Sequence, residues 1–157
     1  MSNKTTRSKS LAKGILAGLI GGLVATAAKS LAEKIYAPHT HGKHEPPELL
    51  AVKVAGHELT LVQKKTAAAA IQWGFGAATG AAYGALAEYV PTVTSKDGAS
   101  FGMALVTLTH QGALPMMGLA ARPGEQTVRE KTSEMTSHIV YGVVTETVRR
   151  VVRRMLR

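Results

Sequence analysis

Five ionisable residues stand out because each lies inside or beside a long apolar stretch: Lys29, Glu33, His110, Glu134 and His138. Lys29 and Glu33 are four apart, so on a helix they share a face and can pair. The spacing of Glu134 and His138 is the same, and a carboxylate beside an imidazole can tune a proton relay or orient a metal ligand. His110 is followed by Gln111 in the middle of an uncharged run. Imidazole as a group titrates near neutral pH, which makes it the natural proton switch wherever water reaches it. Each of these features also has a plain structural reading: an ion pair snorkelling to an interface, a packing histidine, a hydrogen bond between helices. A separate run, Pro38-His39-Thr40-His41-Gly42-Lys43-His44, holds three imidazoles. His39, His41 and His44 are weak metal candidates, since Lys43 among them disfavours a cation and the spacing matches no recognised site.

The elements that must position these residues are apolar helices. Thr66 to Ala87 and Gly98 to Ala121 contain no Asp, Glu, Lys or Arg. Each reaches the about 20 residues that a helix needs to cross a bilayer. Ionisable residues inside such stretches are functional candidates by default. The sequence predicts an all-α polytopic membrane protein: a four-helix transmembrane bundle in a single domain, 1–157. Its spans are about 11–36, 66–90, 98–120 and 132–155. The polar His-containing loop, 37–65, carries a short interfacial helix opened by Pro46-Pro47. Pro38, Pro91 and Arg122-Pro123-Gly124 end the first three spans. A mean hydropathy of +0.05 is low for four spans, although the polar loop and basic ends dilute it.

The 16 glycines lie mostly within the apolar stretches. In a soluble helix each would cost about 1 kcal/mol against Ala; in membrane helices small residues let backbones approach. Gly14, Gly18 and Gly22 recur every four residues, and Gly76, Gly80 and Gly84 do the same. Both runs predict a flat face, a glycine zipper, pressed against a helix of this chain or of a second subunit.

The net charge of +9 is concentrated at the ends. Lys4, Arg7, Lys9 and Lys13 stand at the start of the chain with no acid among them. Arg149, Arg150, Arg153, Arg154 and Arg157 close the chain, on a side suited to acidic lipid headgroups. The pattern fits the positive-inside rule with both termini cytoplasmic. No cleavable signal peptide is expected. There is no cysteine, which excludes disulfides, thiolate metal sites and cysteine nucleophiles. No glycine-rich phosphate loop, nucleophile elbow or paired-carboxylate pattern occurs. A non-enzymatic protein without a cofactor is expected.

In order along the chain, Lys29-Ser30-Leu31-Ala32-Glu33, Pro46-Pro47, Tyr83-Gly84-Ala85-Leu86-Ala87-Glu88, His110, Leu114-Pro115-Met116-Met117-Gly118-Leu119, and Glu134, His138, Tyr141, Gly142 with Arg149-Arg150 form a recurring pattern. On these residues the chain resembles the YagU-like family of small bacterial inner-membrane proteins, whose biochemical role is not established. The resemblance implies an inner-membrane location and adds no reaction. Where such proteins carry an arginine after the loop prolines, this stretch is rich in His, so that arginine's role does not carry over. The expected partner is the lipid bilayer, with a homo-oligomer or a larger membrane complex as a further assembly; nucleic acid is not expected. The first functional expectation is an intramembrane polar cluster that handles protons or cations, or responds to pH. The alternatives are an accessory subunit docking through its Gly-rich faces, and a basic peripheral protein that binds anionic lipid or nucleic acid.

Overall fold

The computed structural model describes residues 9–38 and 45–156, and among them every regular element is helical. His39, His41, His44 and Arg157 lie outside the described residues. Helix α1 spans Leu11–Ile35, α2 Pro46–Ala55, α3 Leu61–Tyr89, α4 Ala99–Leu108 and α5 Val128–Met155. The boundaries follow local chemistry. Ser10 caps α1 by accepting a hydrogen bond from the Lys13 amide. Thr60 and Gln63 form a capping box, as do Thr127 and Glu130. The first box explains why α3 begins before residue 66, where the uncharged run starts, and the second begins α5 before residue 132, the start of the predicted span. Gly56, at φ 71°, ends α2 in the left-handed conformation that glycine adopts without penalty. The third predicted span stops short of residue 120: a π turn (Thr109–Ala113) and one α turn (Leu114–Met116) extend α4, and Gly118 at φ 72° breaks the chain away.

Helices α3 and α5 flank α1, and both run antiparallel to it. The register with α3 is set by glycine: a Cβ on Gly80 would lie 2.6 Å from Gly22 Cα, and one on Gly84 would lie 2.7 Å from Gly18 Cα. Both glycine runs therefore face each other within the chain. Of the two partners the sequence left open, a helix of this chain or of a second subunit, these faces meet a helix of this chain. On its other side α1 meets α5, where a Cβ on Gly21 would lie 2.7 Å from Thr145 O. Helix α4 packs on α5 through a third set of glycines. A Cβ on Gly142 would lie 2.7 Å from Gly102 N, and Gly98 meets Gly142 O. The short α2 lies against α3.

The distribution of side chains is inverted relative to a water-soluble bundle. Ser133, Glu134, Ser137, His138, Thr145, Glu146, Arg149 and Arg153 are buried along one stripe of α5, at alternating helical spacings. Leu16, Val24, Trp73, Phe75, Leu86 and Leu108 are exposed. Among the described residues α1 is the one helix long and apolar enough to cross a membrane. α3 is diluted by Gly, Thr and Gln, and α5 by its buried polar stripe.

The arginine tail is corrected on two counts. Arg149 and Arg153 are 4% and 2% exposed and turn inward, while Val151 and Met155 face out at 51% and 79%. Arg150 is partly exposed and Arg154 lies on the surface. The physical reason is that Glu146 and Glu88, inside the bundle, need cations beside them.

Candidate functional site: a polar cluster beneath a cavity

Near one end of the bundle, helices α1, α4 and α5 bring together all five residues singled out by type and spacing. Lys29 and Glu33 pair along α1. Ser137 Oγ donates to Glu33 Oε1 at 3.3 Å, which joins that pair to α5. From α4, His110 Nδ1 sits 3.0 Å from Glu134 Oε1. The approach is off-line, and this buried nitrogen makes no hydrogen bond. His138 Nδ1 donates to the Glu134 backbone carbonyl at 2.8 Å. A carbonyl can only accept, so this bond fixes the tautomer and leaves the lone pair on Nε2. The His110 and His138 rings meet edge to face, 4.9 Å between centroids.

Local backbone makes this possible. The π turn at Thr109–Ala113 shifts the register of α4 at His110, a distortion that recurs at functional sites. Thr109 Oγ1 donates back to Leu105 O at 2.7 Å, and Gln126 Nε2 donates to His110 O at 3.3 Å, so the turn is held from both sides. Gly102 lets α4 lie on the His138 carbonyl. Without that contact the two imidazoles would stand a side-chain width further apart.

Above the cluster is a cavity of about 250 Å³. Lys29, Glu33, His110 and His138 contribute polar wall; Ile71, Phe75, Leu105 and Met117 contribute apolar wall. Pro46, Pro47 and Leu50 of α2 form its rim. Gln72 Nε2 donates to Ser30 Oγ at 3.0 Å, tying α3 to α1 beside it. Tyr141 OH donates to Gly76 O at 2.6 Å and meets Thr79 Oγ1 at 2.8 Å. Adjacent imidazoles, a carboxylate and a Lys–Glu pair at the foot of a cavity can exchange protons and neutralise a bound cation.

A second polar network lies at the opposite end of the bundle. Arg153 grips Glu88 with two bonds, 2.7 and 3.0 Å, and the Ser10 amide donates to Glu88 Oε2 at 3.1 Å. Arg149 grips Glu146 likewise, at 2.7 and 2.9 Å. Tyr83 OH donates to Glu146 Oε2 at 2.8 Å, and Arg150 bridges Glu146 to Asp97. Such forked bonds fix geometry as well as charge. Sequence reasoning missed these pairs. Glu146 stands three and four residues before Arg149 and Arg150, a helical pairing distance, which was the available signal; Glu88 takes its cation from another helix. Among the described residues no three His, Asp or Glu side chains converge as a metal-binding group.

Comparison with known proteins gave no match among curated proteins and none among solved structures. A family model described as "Protein of unknown function (DUF1440)" matches residues 23–147, a segment that includes all five cluster residues. The chain belongs to the DUF1440 family.

Proposed function

We propose that this chain is a four-span, non-enzymatic integral protein of the bacterial inner membrane, whose buried cluster handles protons or cations. The observation that carries the membrane reading is the inverted side-chain distribution. Large apolar residues face outward on α1, α3, α4 and α5, while carboxylates, imidazoles and arginines pair inside. Water would favour the opposite arrangement, because exposed apolar area costs roughly 25 cal/mol per Å². A hydrocarbon surround favours the one observed. The up-and-down order of the four helices supports both termini on one side, and the basic ends support that side being cytoplasmic. The YagU-like resemblance is the finer family placement we propose, on the cluster residues and the loop prolines.

The cation-handling reading rests on Lys29, Glu33, His110, Glu134 and His138 meeting beneath a cavity. Its test has two stages. Membranes carrying the protein are washed with alkaline carbonate and high salt; the protein is expected to stay in the pellet and to need detergent. Release by either wash would instead support a peripheral protein. Purified protein is then reconstituted into vesicles and a pH gradient imposed. His110→Ala and His138→Ala are expected to change the rate of gradient decay at unchanged protein level. Equal rates in wild type and both variants would remove the proton-handling reading.

A further inference from the structure

The polar atoms around the cavity are unevenly divided between donors and acceptors. Thr26 spends its hydroxyl proton on Gly22 O (2.8 Å) and Thr109 on Leu105 O (2.7 Å), so both offer lone pairs. His138 spends Nδ1–H on Glu134 O, and among the described residues its Nε2 lone pair has no donor. Glu33 accepts from Lys29 and Ser137, and a carboxylate has about four acceptor sites. Glu45 adds another carboxylate at the rim. Against these, among the described residues, stand Lys29, one of whose N–H groups is committed to Glu33, one N–H of Gln72 and a ring N–H of His110. With Glu134 behind His110, three carboxylates, Glu33, Glu45 and Glu134, answer one ammonium among the described residues. The remaining wall is apolar, and 250 Å³ exceeds the roughly 150 Å³ of an apolar cavity that admits benzene.

We propose that the cavity binds an organic ammonium, an N–H-bearing cation with an apolar body about the size of one ring. The N–H groups would donate to Glu33 and His138 Nε2. The body would lie between Ile71, Phe75, Leu105 and Met117. The inference rests on the cation-handling reading of the same cluster and names the class of cation.

The test is calorimetric titration of the detergent-purified full chain with 2-phenylethylammonium. Two probes serve as comparisons: neutral 2-phenylethanol, and phenyltrimethylammonium, which has charge but no N–H. Saturable binding of the primary ammonium, on the order of tenfold tighter than either comparison, is expected from one charge-assisted hydrogen bond. Glu33→Gln, which keeps the shape, should weaken it about tenfold. Ile71→Trp fills the apolar half, leaves every polar group in place, and should abolish it. Binding of 2-phenylethanol equal to the ammonium would overturn the proposal, as would equal binding of phenyltrimethylammonium. So would ammonium binding unchanged in Ile71→Trp, or no saturable heat at millimolar concentration. If the ammonium fails to bind while gradient decay still depends on His110 and His138, this inference falls and the proton-handling reading stands.

Discussion

At the scale of single residues, the chain pairs nearly every buried charge, and those pairs give the sharpest predictions. Arg153 holds Glu88 at the end of the bundle. Arg153→Ala would leave a buried carboxylate without its forked partner, a loss of about 2 kcal/mol for a pair close to the bundle end. Thermal unfolding in detergent should show a clear drop in Tm, whereas Arg154→Ala, on the exposed side, should leave Tm within error. An unchanged Tm for Arg153→Ala would mean that the pair contributes nothing. Lys96 presents the reverse case. It sits at φ 51°, ψ 39° in the turn before α4, followed by Asp97 at φ 54°. A side chain there costs about 1 kcal/mol that glycine avoids. Lys96→Gly should raise Tm by a few degrees. Asp97 is a poorer choice for the same change, because its carboxylate accepts from Arg150 at 2.8 Å.

At the scale of elements, glycine decides which helices touch. Gly18, Gly22, Gly80 and Gly84 bring the α1 and α3 backbones into contact, and any Cβ would meet the opposing main chain. Gly80→Leu should therefore prevent assembly of the bundle, read as loss of monodisperse protein on size exclusion. Gly74, in the same α3, has open space where a Cβ would stand, with nothing within 4 Å. Gly74→Ala should be tolerated, or stabilise by about 0.5–1 kcal/mol through helix propensity. Comparable behaviour of the two variants would mean that the α1–α3 contact is not what orders the fold. The π turn is the other element-level device. It places His110 beside Glu134 where a regular α4 would carry the ring around the helix by part of a turn.

At the scale of the whole molecule, the proposed topology puts the α3–α4 turn and the end of α5 on one side, and α2 with the α4–α5 loop on the other. The chain has no cysteine, so single-cysteine variants report cleanly. Thr92→Cys and Arg154→Cys should react with a membrane-impermeant maleimide only after cells are opened. Glu58→Cys and Glu125→Cys should react in intact cells whose outer barrier is permeable to the reagent. Labelling of all four alike in intact cells would contradict the four-span arrangement. The two polar networks then occupy opposite ends of the bundle. In the proposed topology the one with the cavity would face outward, and the arginine-rich one would face the cytoplasm.

Much of this was legible in the chain because helical periodicity and apolar length are local properties. The uncharged runs, the two glycine repeats, the capping residues and the prolines located α1, α3 and α5 to within a few residues, and α4 at its start but not at its end. Composition also singled out Lys29, Glu33, His110, Glu134 and His138, since an ionisable group costs energy in an apolar run wherever it stands. Tertiary structure alone decided their company. Spacing could pair Lys29 with Glu33; it also suggested a carboxylate–imidazole pair of Glu134 with His138, but His138 bonds the Glu134 backbone carbonyl, and the carboxylate lies beside His110, which α4 brings to it. Nor could spacing choose between an internal and an external partner for the glycine faces. The inward turn of Arg149 and Arg153 was hidden for the same reason. A helical wheel shows that a face is charged, and Glu146 stands one turn before Arg149 on it, but Glu88, the acid that draws Arg153 inside, comes from α3 and meets it only once the helices have packed.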